Sequence, residues 1–306
     1  MPAPPLPDVV AIGETMVLVA PALAEPLELA TGFHLDPGGA EANVASHLAA
    51  LGRPAAWAGV VGDDALGRRL VRQLGERGVD TRWVGTRADA PTGVYFKDPG
   101  NGVRYYRSGS AASRMDASFL GGLPIGTARV VHLSGITPAL SDSCDALAEA
   151  VVERAAGDSA LVSFDVNHRP ALWAADAAPE RLRSLAARAD LVFVGLDEAA
   201  ALWGTESAAA VRALLPQPRL LVVKDAAALA TEFSEAGVTE VPAFEVEVVE
   251  PVGAGDAFAA GYLDALLANA SPLERVAAGH SRAVTVLGDT ADFPRAHSTT
   301  TPRSDR

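Results

Sequence analysis

Two glycine-rich stretches carry the residue types that polyol and phosphate chemistry require. The first, Gly38-Gly-Ala-Glu-Ala-Asn43, stands immediately before a helical pattern. Adjacent glycines let the backbone approach a ligand closely, and a helix start presents unbonded N–H groups. Asn43 adds a donor and an acceptor, which suits a sugar hydroxyl. An ordinary Gly-Gly turn into a helix would look the same. The second stretch, Pro251-Val-Gly-Ala-Gly-Asp256, leads into Ala257-Phe-Ala-Ala-Gly-Tyr-Leu263. Gly253 and Gly255, flanking Ala254, free backbone amides to point at an anion, and the helix that follows adds its partial positive charge. Asp256 would repel a phosphate that is merely bound. It makes sense as a base that takes the proton of a hydroxyl attacking a terminal phosphoryl group. Capping of the helix start is the plainer alternative.

Other chemistries lack their residues. Lys97 and Lys224 are each followed by Asp, so there is no Gly-Lys-Ser/Thr phosphate loop. The six histidines show no His-Glu-x-x-His and no close pair at metal-ligand spacing. Gly279-His-Ser-Arg-Ala283 has the outline of a nucleophile elbow, but Pro272 to Ala278 before it reads as helix where a strand is needed. Gly13-Glu-Thr lacks the further glycines of a dinucleotide fingerprint.

The elements that must position these stretches alternate between strand and helix. Asp8–Gly13, a short apolar run ending in glycine, and Trp57–Val61, Val130–Leu133, Leu161–Asp165, Leu191–Val194 and Leu220–Lys224 are largely aliphatic or β-branched runs. Helical patterns over Ala40–Leu51 and Ala65–Glu76, and Ala-, Leu-, Glu- and Arg-rich segments later, lie between them. Runs of this kind predict strands buried on both faces, hence α/β with a mostly parallel sheet. Residues 14–36 and about 92–110 break the rhythm with short runs at Thr15–Ala20, Leu27–Ala30, Gly93–Lys97 and Val103–Arg107. They read as antiparallel strands that pair into a small projecting sheet, used as a lid, a decoration or a dimer surface.

The chain of 306 residues is 49 % hydrophobic and 21 % charged, enough for a sizeable core. A net charge of −13 argues against a partner that is nucleic acid, while a local arginine cluster can still bind a small anion. Cys144 is the single cysteine, which removes disulfides and points to a reducing compartment. No apolar run reaches the roughly eighteen residues of a membrane span, and Met1–Pro7 lacks the pattern of a secretory signal, so a cytoplasmic protein is expected. Arg295–Arg306, polar and Thr-rich, is expected to fray.

Together the two glycine-rich stretches resemble the paired signatures of the ribokinase-like (PfkB) carbohydrate kinases. Gly38 to Gly52, continuing through Gly59-Val-Val-Gly-Asp-Asp-Ala-Leu-Gly67, is similar to the N-terminal one, and Glu250 to Gly261 to the C-terminal one. The resemblance runs from about residue 8 to 290. It implies one three-layer αβα domain over residues 1–306 with a β-sheet lid, and ATP-dependent phosphorylation of a sugar hydroxyl with Mg²⁺. Thr92-Gly-Val-Tyr95, Arg104-Tyr-Tyr-Arg107, Phe164 to Trp173 and Val194 to Ala199 bring the 2-keto-3-deoxygluconate kinases nearest. By that likeness Gly38, Gly39, Asn43, Tyr95, Tyr105, Arg107 and Arg169, with Asp289, line the sugar site. Two arginines suit the carboxylate of a sugar acid. Asn167, Lys224, Ala226, Leu229, Gly253, Gly255 and His280 fall to the nucleotide, Asp256 is the base, and Glu198 helps organise Mg²⁺. A monovalent cation such as K⁺ is a further implication, and the unpaired edges of the two β excursions point separately to a homodimer through the lid strands.

Some positions depart from the family pattern. Ala226 and Leu229 stand where Lys-x-Gly-x-x-Gly carries glycines; if those need positive φ, each replacement costs about 1 kcal/mol or more. Glu250 replaces an Asp near the cation site, and Gly195 replaces the Asn of Asn-x-x-Glu. Three functions follow: a sugar-acid kinase, a kinase of fructose, ribose or a nucleoside, and a sugar-binding protein that has lost efficient ATP use.

Overall fold

The computed structural model describes residues 5–23, 25–157, 160–173, 176–246, 252–287 and 293. In chain order these form β1 (Val9–Ile12), β2 (Met16–Pro21), β3 (Phe33–Gly38), α1 (Ala40–Ala50), β4 (Ala55–Ala58), β5 (Val60–Gly62), α2 (Ala65–Glu76), β6 (Gly85–Arg87), β7 (Val94–Asp98) and β8 (Gly102–Tyr106). Then follow β9 (Val130–Ser134), α3 (Asp142–Gly157), β10 (Leu161–Asp165), α4 (Ala178–Ala186), β11 (Leu191–Gly195), α5 (Leu196–Trp203) and α6 (Ala208–Leu214). The chain continues through β12 (Leu220–Asp225), β13 (Leu229–Ser234), β14 (Gly237–Pro242), α7 (Ala254–Leu267) and α8 (Pro272–Leu287).

The central sheet has the order β14-β13-β12-β11-β10-β9-β1-β4. It is parallel from β4 to β12, and β13 and β14 close that edge as an antiparallel meander. Alternate residues of each strand feed two cores. Val10, Val131, Val162, Val192 and Leu221 pack with α3, α4, α5 and α6 on one face. Val9, Ala11, Val130, Phe193 and Val222 pack with α1, α2, α7 and α8 on the other. This is the three-layer α/β arrangement that the strand composition predicts.

The small sheet has the order β3-β2-β7-β8 and is where expectation and structure diverge. Leu27–Ala30 is a turn, not a strand. Leu29 and Ala30 donate their amides to the Pro26 carbonyl (3.0 and 3.2 Å), and the Leu27 amide goes to Asp98 Oδ1 (2.9 Å), so three of the four amides are taken from a ladder. The strand lies at Phe33–Gly38 instead, where Pro37 is tolerated because β3 is an edge. Pairing is also not antiparallel throughout: β2 and β7 run parallel, since both leave the main body side by side, with the Val17 amide on the Gly93 carbonyl (3.0 Å). The run Trp57–Val61 is likewise divided. Gly59, where a Cβ would strike the Gly13 carbonyl and the Trp57 ring, separates β4 in the large sheet from β5, which pairs with β6.

Two carboxylates pin the small sheet where it joins the body. Asp64, the cap of α2, accepts from the Gly67 amide (2.7 Å), the Thr92 amide (2.8 Å) and Thr92 Oγ1 (2.9 Å) just before β7. These donors outweigh its partial burial and hold its pKa below the ordinary aspartate value. Glu14, between β1 and β2, accepts from Ser110 Oγ (2.9 Å) and is ion-paired with Arg107 just after β8.

Candidate active site

Ligands of open parallel sheets sit beyond the carboxyl ends of the strands. Here Glu14 follows β1, Ile136 follows β9, Asp165 and Asn167 end and follow β10, Gly195 ends β11, and Lys224 lies near the end of β12. All of them line one cleft of about 1460 Å³, roomier than the about 300–1,000 Å³ of most small-ligand pockets. Gly38, Gly39, Asn43, Tyr95, Tyr105, Arg107, Arg169, Asn167, Glu198, Ala226, Leu229, Gly253, Ala254, Gly255, Asp256 and His280 line the same cleft. Asp289, Glu250 and Arg295–Arg306 lie outside the described residues.

Two helix starts converge in it. At α1, Gly39 is the cap residue; a Cβ there would sit 2.3 Å from the Glu14 carbonyl, and one on Gly38 would overlap Tyr95 Oη. Glycine is therefore required for this close approach. At α7, the cap Gly253 adopts φ 88°, a left-handed conformation that costs an L-residue about 1–2 kcal/mol. Asp256 lies in the first turn that follows, and Asn43, from the first turn of α1, donates Nδ2 to its Oδ2 at 2.9 Å. At the far ends of the same helices Arg53 reaches Asp264 Oδ1 (2.8 Å) and Asp8 Oδ2 (3.1 Å), which ties α1 to α7 along their length.

Lys224 enters beneath α7. Its Nζ donates to Asp165 Oδ2 (3.1 Å), and a Cβ on Gly255 would stand 3.4 Å from that nitrogen. Burial alone would lower the lysine, but Asp165, Glu198 and Asp256 together hold its ammonium above the usual value. Glu198 accepts from the amides of His168 (3.0 Å) and Gly195 (2.9 Å); burial, then Asp165, push its carboxyl up, against Lys224. Among the described residues there is no cluster of three metal-ligating side chains. That donor set fits a Mg²⁺ carried mainly by nucleotide phosphates and water rather than by a protein cage.

Where the small sheet borders the cleft, Tyr95 and Tyr105 stack with centroids 5.6 Å apart. Arg107 is mostly buried beside Glu14, whereas Arg169 is exposed, lines the cleft, and makes no ion pair among the described residues; its NH1 reaches only the His168 carbonyl at 3.5 Å. The loop replacing Lys-x-Gly-x-x-Gly is half explained. Ala226 does take φ 38°, whereas Leu229 simply begins β13 and needs no glycine. Gly279-His280 is mid-helix, as the sequence required, with His280 Nε2 3.1 Å from the Val241 carbonyl.

Sequence reasoning missed Glu14, Asp165 and Phe244. The first two are acidic residues at the carboxyl ends of predicted parallel strands, a position that itself marks a ligand site. Phe244 lines the cleft beside His280, with ring centroids 5.9 Å apart, and nothing in its local sequence marks it.

The chain matches the pfkB family carbohydrate kinase pattern over residues 6–292. It belongs to that family. As such it is a phosphotransferase acting on a sugar, which sets the non-catalytic expectation aside. It is 34 % identical to 2-dehydro-3-deoxygluconokinase of Thermoproteus tenax, over 96 % of this chain and 93 % of that protein. It is also 33 % identical to fructokinase-1 of Zea mays, over 87 % and 85 %. Among solved structures, a PfkB protein from Polaromonas sp. JS666 is 37 % identical with a TM-score of 0.83, covering 91 % of this chain and 95 % of that one. A fructokinase from Xylella fastidiosa with bound ATP is 26 % identical with a TM-score of 0.81, covering 94 % and 96 %. No helix among the described residues is long and apolar enough to cross a membrane.

Proposed function

We propose that this kinase transfers the terminal phosphoryl group of ATP to the 6-hydroxyl of 2-keto-3-deoxygluconate or a closely related sugar acid. The observation that carries the transfer chemistry is the convergence of the α1 and α7 starts on Asp256. The sugar hydroxyl loses its proton to Asp256 while its oxygen bonds to the phosphorus, and the bond from that phosphorus to the leaving ADP oxygen breaks. The amides around Gly253–Gly255 and the Lys224 ammonium face the charge that develops. Mg²⁺, when bound with the nucleotide, neutralises phosphate charge, and Glu198 stands closest to that role among the residues the sequence selects. The solved fructokinase that holds ATP supports the choice of nucleotide.

Arg169 carries the acid reading. An exposed arginine that makes no ion pair among the described residues, and reaches Glu198 only through its field, suits a substrate carboxylate. The Thermoproteus tenax relative is named for such a substrate. A neutral sugar is the second reading, favoured by the fructokinase relative and by the pairing of Arg107 with Glu14, which leaves less free positive charge than two arginines promise.

The test is ADP release with MgATP against 2-keto-3-deoxygluconate, gluconate, fructose, ribose and adenosine. Asp256→Asn should lower kcat by about 10²–10⁴, with sugar affinity kept. Arg169→Ala should lose far more on the keto acid than on fructose. Turnover restricted to fructose or ribose would replace the substrate, and full activity of Asp256→Asn would remove the base.

A further inference from the structure

We propose that Asn43 is a positioning residue of Asp256, acting on the reaction through that carboxylate as well as standing in the sugar site. The inference rests on the reading of Asp256 as the base. A carboxylate only accepts hydrogen bonds when ionised, so the side-chain nitrogen of Asn43 must be the atom that faces it at 2.9 Å. Asn43 is 3 % exposed, and its own helical amide is bonded to the Gly39 carbonyl (2.8 Å), so the donor is fixed to the first turn of α1. Its Oδ1 is buried and accepts nothing from the described residues. The amide is thus committed through its nitrogen, and its oxygen is left to a substrate hydroxyl. Asn43 thereby links sugar binding to the base on two different helices.

A donor to an ionised carboxylate does two things. It fixes which way the carboxylate turns, and it favours the charged form, so the group stays a base at lower pH. The other charged groups around Asp256 make the amide's share readable. Lys224 from β12 favours the ionised form, with Asp165 of β10 and Glu198 of α5 behind it. Arg107 and Glu14, from the junction of the small sheet, form their own pair, and Arg169 follows β10. Glu41 in the first turn of α1 is turned away: its Oε1 accepts from the Ser134 amide and Oγ and from Thr137 Oγ1. His280 of α8 is bonded to Val241.

The experiment is the pH profile of kcat/KM for the full chain with MgATP and whichever sugar of the panel it turns over, comparing wild type, Asn43→Ala and the isosteric Asn43→Asp. Activity falls as pH drops through the pKa of the base. Loss of the amide should move that acid limb upward by about one pH unit, so that the deficit of Asn43→Ala shrinks as pH rises. Asn43→Asp places a second carboxylate against Asp256 and should move the limb further. Because it keeps the shape of asparagine, it supplies the answer if the alanine variant does not fold. An acid limb that stays in place in the variants, with only a raised KM for the sugar, overturns the proposal and leaves Asn43 as a sugar ligand. Asp256→Asn separates the two levels. If it is inactive while the limb stays in place, only the positioning role falls; if it is fully active, the reading of the base falls with it.

Discussion

The pairing of Arg107 with Glu14 decides what Arg107 is for, and it can be measured. Glu14 has a side-chain exposure of 1 % and Arg107 of 10 %, and Ser110 Oγ supplies one further hydrogen bond to the carboxylate. Arg107→Met removes the cation and leaves the carboxylate buried with that hydroxyl alone. Breaking a buried pair from one side costs about 3–5 kcal/mol. For a chain of this length the unfolding entropy near the midpoint is about 0.6 kcal/mol per degree, so Tm should fall by about 5–8 °C. Removing both charges, with Glu14→Gln and Arg107→Met together, should recover most of that loss, because a neutral pair of similar volume leaves no uncompensated charge. The assay is a double-mutant cycle by thermal and denaturant unfolding, with kinetics on the keto acid and on fructose run beside it. A structural pin predicts strong coupling in stability and similar activity losses on both sugars. Single-variant losses under about 1 kcal/mol that simply add, with a KM penalty confined to the acid, would refute this reasoning. Arg107 would then be a substrate ligand on a par with Arg169.

Two further outcomes follow from backbone strain and from a buried titrating group. Ala226→Gly relieves φ 38° in the turn between β12 and β13. The relief of about 1–2 kcal/mol is offset by about 0.4–1 kcal/mol of added freedom in the unfolded chain. Tm should therefore rise, by no more than about 2.5 °C, in a thermal melt, and a lower Tm would show that the methyl group packs usefully. His132, in the middle of β9 beside Ser163 Oγ (3.0 Å), has its pKa pushed down to about 4 by burial, with Lys224 adding and Asp165 opposing. Its folded pKa lies below the unfolded value of 6.5, so the stability it contributes is full above about pH 6.5. That stability is lost as pH falls towards 4, a total of about 3 kcal/mol. Denaturant unfolding of His132→Asn should show a shallower decline over this window, and an unchanged slope would mean that other groups govern it.

The sheet was legible because strands buried on both faces are written as unbroken aliphatic runs, and β1, β9, β10, β11 and β12 all fall where those runs lie. The glycines were legible for a related reason: at Gly38, Gly39 and Gly253 the backbone itself needs the space or the conformation, and no other residue supplies it. What the sequence hid was settled by tertiary contact. Pro26 turned an apolar run into a loop by capturing its amides locally, and a polar segment containing a proline became the edge strand β3 because one of its sides has no neighbour in the sheet. The partners of Arg107 and Lys224 lie far away in sequence, and no spacing rule connects Glu14 to Arg107 or Asp165 to Lys224.

Those hidden pairings explain how a chain with a net charge of −13 can take anionic substrates. Glu14 faces Arg107, Asp165 faces Lys224, Glu198 is held by two backbone amides, and Asp256 receives the Asn43 amide. Each of these four carboxylates is thus met by a donor of its own. An anion entering the cleft meets compensated carboxylates, the start of α7, and Arg169, instead of the raw negative sum of the surface. The distribution also sets the order of importance among the cations. Lys224 and Arg107 are partly spent on holding acidic residues in place, and Arg169 is not. If the protein distinguishes an acid from a neutral sugar by charge, the distinction falls on the exposed arginines that line the cleft, Arg169 after β10 and Arg104 in β8. Replacing either should then change the choice of substrate with little effect on the contact between Asn43 and Asp256.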